Sequence, residues 1–213
     1  YRQLGWLLAD VDQRTGLQRS SVRLLETLVA EHSNDAQYKS DLVASYSSLA
    51  SCVRGRDRSA ARDYLTRAIE LGESDSNVSR GRLASAFRGY AELLHIEQDL
   101  PGSEVAHRKA ILSFQEALTS PSATDRREEH IHFQRCLAAC YGEYAELSIK
   151  LHKPEQAEQA YWDSVATAEQ LTIEFPSILR HHGALLQSQR GLAGLLVRNG
   201  RSDGAARNAD EVA

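Results

Sequence analysis

The sequence predicts an all-α chain of about five stacked antiparallel helix pairs, and three observations carry that prediction. Apolar residues recur at helical spacing, as in Leu42, Tyr46, Leu49, Val53 and in Leu83, Phe87, Tyr90, Leu94, with no strand-like alternation. Five times a large side chain stands three residues before another that is followed at once by Gly or Ala. The instances are Tyr1/Leu4-Gly5, Tyr46/Leu49-Ala50, Phe87/Tyr90-Ala91, Tyr141/Tyr144-Ala145 and, with a polar first member, Gln189/Leu192-Ala193. An internal repeat on this scale signals stacked supersecondary units. Turn and cap residues cut the pattern at intervals that fit one helix each.

Taken in order, the first two helices fall near 1 to 14 and 17 to 31, with Gly16 as the break between them. Ser33-Asn34-Asp35 caps a third, near 35 to 54, which Gly55 ends. Asp57 opens a fourth at 57 to 72, closed by Gly72, and Ser74-Asp75-Ser76 caps a fifth at 77 to 98. Pro101-Gly102 separates it from a sixth at 103 to 119, and Pro121 precedes a seventh at 123 to 151. Pro154 suits the first turn of an eighth, near 155 to 174, where its missing N–H is not needed. Phe175-Pro176 marks the step to a ninth at 177 to 199, and Asn199-Gly200 with Ser202-Asp203 introduces a tenth at 203 to 213.

Composition narrows the function classes. A net charge of -4 and a pI near 6.1 supply no basic face for nucleic acid. The run Arg54, Arg56, Arg58, Arg62 is broken by Gly55 and Asp57 and reads as an exposed turn between helices. No stretch reaches the ~20 apolar residues of a membrane span, so direct membrane insertion is not expected. Three cysteines, Cys52, Cys136 and Cys140, make no disulfide framework, and a cytoplasmic location is expected. The chain is expected to form one elongated domain over 1–213, cut from a longer protein. It has no Met, Tyr1 already stands in mid-helix when aligned with Tyr46, and the last helix stops without a capping signal.

Chemistry-bearing clusters are few. His132, Cys136 and Cys140 lie at i, i+4, i+8 beside His130 and share a helix face, but no second segment is poised to complete four zinc ligands. Buried cysteines acting as small hydrophobes explain the pattern better. His181 and His182 are adjacent and point in different directions. No catalytic arrangement, metal site or cofactor site is expected.

About twelve positions after each small residue come Leu17, Ala61, Ala106, Ala157 and Ala205, followed four residues on by Ser21, Leu65, Ala110, Tyr161 and Ala209. With these residues the chain resembles the tetratricopeptide (TPR) repeat family, most closely in "SAARDYLTRAIEL" and "PEQAEQAYWDSVATAEQL". The resemblance implies a right-handed superhelical α-solenoid, in which a small residue on the first helix of each pair lets the second approach closely. Successive second anchors are 45 (Leu4 to Leu49), 41 (Leu49 to Tyr90), 54 (Tyr90 to Tyr144) and 48 (Tyr144 to Leu192) residues apart, against the ~34 of the regular repeat. The first helices are therefore expected to be lengthened and the loops to carry insertions.

"EFPSILRHHGALLQSQRGLAGLLVRNGRSDGA" and "AEHSNDAQYKSDLVASYSSLA" are further similar to the elongated repeats that follow the kinase domain in planctomycete-type bacterial serine/threonine protein kinases. Phe175-Pro176, Leu192-Ala193, Gly200-Arg201 and Ala205 keep that pattern, while Arg180-His181 replaces the usual Tyr-Arg. The chain has no glycine-rich phosphate loop, His-Arg-Asp or Asp-Phe-Gly, so phosphoryl transfer cannot be assigned to it.

The TPR resemblance also implies that first helices line a groove. Arg2, Ser47, Arg88, Gly142 and Arg190 would face it, with Trp6, Ser51, Glu92, Glu146 and Gly194, and with Arg54 and His95 one turn further. Arginines there could hold carboxylates or phosphates bidentately. Against this, Arg88 and Glu92 could simply pair at i, i+4 on an exposed helix. The leading expectation is a non-catalytic scaffold whose groove binds a protein or peptide, and the kinase resemblance implies a place in the regulatory or recruitment region of a larger serine/threonine kinase. The alternative is a structural spacer or self-association module without a peptide ligand.

Overall fold

Helices account for most of the described residues. The computed structural model describes residues 2–119 and 127–200, and their side chains from Asp12 onward. Among the described residues there are eight α-helices and no strand: α1 Arg2–Glu31, α2 Ala36–Val53, α3 Arg58–Ser74, α4 Arg80–Ile96, α5 Leu100–Thr119, α6 Arg127–Lys150, α7 Pro154–Glu174 and α8 Leu179–Arg198. None is long and apolar enough to cross a membrane.

The caps explain most boundaries. Asp35 accepts from the backbone N–H of Gln37 at 2.8 Å and of Tyr38 at 3.2 Å, starting α2. Asp57 accepts from Ala60 N–H at 2.9 Å and starts α3. Each carboxylate satisfies helix N–H groups that lack an intrahelical partner. Asp99 accepts from Gly102 N–H at 2.9 Å, so Pro101 and Gly102 lie inside the first turn of α5 instead of before it. A proline there breaks no hydrogen bond.

One departure from the sequence expectation concerns α1. α1 runs unbroken through Gly16, where an added Cβ would meet nothing within 4 Å. Gly16 therefore has neither the left-handed backbone nor the close packing that would make it a breaker, and glycine alone costs a helix only about 1 kcal/mol. As a consequence Leu17, expected as a packing anchor, is 66% exposed, and Val22 takes the buried place against α2. The expected helix at 203 to 213, with Ala205 and Ala209, lies outside the described residues, as does Pro121.

The chain divides into two compact units, 1–113 and 114–213, with the division inside α5. In the first unit α1 packs on α2, α2 on α3 and α4, and α3 on α4. Leu42, Val43, Tyr46, Leu49, Ala50 and Val53 of α2 meet Ala61, Leu65 and Ala68 of α3 in one core. In the second unit α6 packs on α7 and α8, and α7 on α8. The helices bearing the large-large-small triplet (α2 and α4; α6 and α8) are thus neighbours within each unit, which is the packing of stacked hairpins. Ala61, Ala106, Ala110 and Ala157 are buried, as their anchor role requires.

Gly191 shows why a small residue is needed at such a crossing. A Cβ placed there would overlap the ring of Tyr161, itself an anchor of α7. The two helix backbones approach so closely only because α8 has no side chain at that point.

Candidate interaction surface on α2 and α4

Arg54 sits at the C-cap of α2, where its positive charge complements the helix carboxyl end. Its Nη1 makes an ion pair with Oε2 of Glu92 on α4. The other carboxylate oxygen of Glu92 lies 3.5 Å from Nη2 of Arg88, one turn earlier on the same helix. Two guanidiniums from neighbouring helices therefore meet at one carboxylate. All three side chains are only part-buried, at 26% to 30% relative exposure, so the cluster is in contact with solvent.

The structure places Ser47 on α2, Arg54 at its C-cap and Arg88, Glu92 and His95 on α4, and joins Arg54, Arg88 and Glu92 through ion pairs. Ser47 donates to Val43 O at 2.9 Å within its own helix, so its hydroxyl proton is already used. His95 is half-buried on the last turn of α4. Arg2 and Trp6 fall on α1, but their side chains are outside the described residues. Glu146 and Arg190 are exposed on α6 and α8 of the second unit. The i, i+4 pairing of Arg88 with Glu92 is present, with the link to Arg54 added to it.

The arginine run from Arg54 to Arg67 is a set of ties between helices. Besides Arg54 with Glu92, Arg56 pairs with Asp12 of α1 and Arg62 with Glu97 at the end of α4, while Arg67 lies 3.2 Å from Glu26 of α1. Each of these four charges is matched by an acid from another element and Arg58 is exposed at the start of α3, so the run is no continuous basic patch for a polyanion. Arg62 also donates to Tyr90 OH at 3.1 Å, with its guanidinium 5.7 Å from that ring.

Sequence reasoning missed a second cluster, at Tyr46. Its hydroxyl donates to Glu26 Oε1 at 2.7 Å, and the Arg67 guanidinium lies 5.7 Å from its ring. Tyr64 stacks on Tyr46 at 6.1 Å and 24°. Burial first, and the bond to Glu26 second, push the Tyr46 phenol up to about 12. A shallow depression between α2 and α3, lined by Leu42, Tyr46, Arg67, Glu70, Leu71 and Ser74, opens beside it. Glu26 and Arg67 lie 20 and 21 residues from Tyr46, so only the stacking register reveals the cluster.

His132 faces Cys136 at 3.6 Å and Arg135 at 3.0 Å, while Cys140 is buried in the core. Among the described residues no group of three or more His, Cys, Asp or Glu is arranged to hold a metal ion.

These helices, their pairing and their buried small residues define a TPR-like helical repeat fold, an α-solenoid. A solved structure supports the same fold. The chain is similar to BtubC (BKLC) from P. vanneervenii, with a TM-score of 0.57 and 15% identity over 95% of this chain and 89% of that one. A looser likeness, with a TM-score of 0.46 and 18% identity over 96% of this chain, links it to the kinesin light chain nearly identical TPR-like repeats of Podosopora anserina, 90% of which are covered. At these identities the likeness concerns the fold alone, and the second match is too loose to add to the argument. No protein-family model matches the sequence, and no curated protein matches it.

Proposed function

We propose that the chain is a non-catalytic interaction scaffold that holds an acidic protein segment on the α2/α4 face of its first unit. The observation that carries this reading is the convergence of Arg54 and Arg88 on Glu92 at an open surface. Glu92 occupies the place that a ligand carboxylate would take, and the bidentate geometry of arginine suits such an exchange. Stacked helix pairs commonly serve recognition, because they present extended surfaces built from local contacts. The end of the chain, with Phe175-Pro176, Leu192-Ala193 and Gly200-Arg201, supports a place in the recruitment region of a larger serine/threonine kinase.

The test is a phage-displayed random peptide library selected on the chain and then measured on an Arg54→Glu, Arg88→Glu variant. Enriched peptides are expected to carry Asp or Glu and to bind the variant at least about tenfold more weakly, a loss of ~1.4 kcal/mol. Absence of enrichment, or equal binding to the variant, contradicts the reading.

A further inference from the structure

The outward face of α8 carries an apolar stripe that no other described residue covers. Leu179, Leu186 and Val197 are 85%, 49% and 59% exposed, and Arg190 lies among them on the same side of the helix. The exposure of Leu186 departs from the repeat. It stands six residues before the anchor Leu192, and the residues six before Leu49, Tyr90 and Tyr144 are Val43, Ala84 and Ala138, exposed by 0%, 0% and 3%. A position that the repeat elsewhere buries is open here.

The charges of the two last helices oppose one another. α8 carries Arg180, Arg190 and Arg198 and no acidic residue, whereas α7 carries Glu155, Glu158, Asp163, Glu169 and Glu174 and no lysine or arginine. The outward face of α7 also has an apolar stripe, with Trp162 42% and Ile173 79% exposed and Ala166 between them. Trp162 and Ile173 are eleven residues apart, as are Leu186 and Val197, a separation of about 16 Å along a helix. Laid antiparallel, the two stripes place Trp162 opposite Val197, Glu169 opposite Arg190 and Ile173 opposite Leu186.

We propose that α8 docks antiparallel on α7 of a second copy of this chain, so that copies associate head to tail. The occupant is a second copy because its own α7 supplies the matching spacing and the complementary charge. Such a contact is heterologous, using different patches on the two partners. It does not involve α2 or α4, so this proposal and the peptide-binding reading fail independently.

The test compares the wild-type chain with two variants by sedimentation velocity. Arg190→Asp with Leu186→Asp disables the α8 face, and Trp162→Asp with Ile173→Asp disables the α7 face; unchanged helical circular dichroism shows that both still fold. Wild type is expected to gain mass with concentration and to lose it as salt rises. Each variant alone is expected to stay monomeric, and an equimolar mixture to form a 1:1 dimer that grows no further, since one intact pair of faces remains. A wild type that stays monomeric up to about 1 mM, or a mixture that forms no complex, overturns the proposal, whatever else covers α8.

Discussion

Gln98 and His152 hold φ of 66° and 57°, a left-handed backbone that side chains disfavour. Each follows a helix whose last turn is closed by a longer-range bond, Asp99 N–H to Leu94 O and Lys153 N–H to Ser148 O, both at 2.9 Å. Glycine is the usual residue at this place in a helix stop. Gln98→Gly and His152→Gly are each expected to raise stability by about 0.5–1 kcal/mol, read as a higher urea midpoint at unchanged slope. Tyr46 gives the second residue-scale prediction. Its phenol is pushed from 10.0 to about 12, so the unfolded chain gives up this proton first as pH rises. The stabilisation is complete below pH 10 and is lost as pH climbs toward 12. Tyr46→Phe should cost ~1 kcal/mol at neutral pH by removing the bond to Glu26, and its stability should fall less steeply above pH 10 than that of wild type.

Two glycines separate helix propensity from helix packing. Gly16 lies in open space in the middle of α1, so Gly16→Ala should add helical circular dichroism and stabilise by up to about 1 kcal/mol. A loss of stability would instead place a turn at Gly16. Gly191 lies against Tyr161, and Gly191→Ala should destabilise by about 1–3 kcal/mol despite the same gain in propensity, because the buried ring has no room to yield. These two residues also show how far the sequence could be read at this scale. The caps Asp35 and Asp57 were legible because they act on the next few residues, and the triplets and the anchors Ala61, Leu65, Ala157 and Tyr161 because they recur at a repeating spacing. The continuity of α1 was not. Gly16 resembles a breaker in sequence, and only the absence of any tertiary demand on it lets the helix run through.

For the whole molecule, the repeating hairpin was readable and the ion-pair web was not. Arg54 and Glu92 are 38 residues apart, and Arg62 and Glu97 are 35 apart. Which acid meets which arginine depends on the register in which hairpins stack, and periodicity does not specify it. The arginine run does form an exposed turn between α2 and α3, and what the sequence could not show is that Arg54, Arg56 and Arg62 also tie α3 and the end of α2 to α1 and α4. The residues around the α2/α4 face were legible one by one from the TPR resemblance. Their arrangement, two arginines on one carboxylate, came only from the stacked helices.

That arrangement makes the sign of one substitution decisive. If a ligand carboxylate displaces Glu92 from Arg54 and Arg88, Glu92 is an internal competitor, and Glu92→Gln removes its charge from both contacts. Isothermal titration of the best selected acidic peptide should then show tighter binding to Glu92→Gln than to wild type, on the order of tenfold. Equal or weaker binding to Glu92→Gln would contradict the account, since Glu92 would then be only a structural link between α2 and α4.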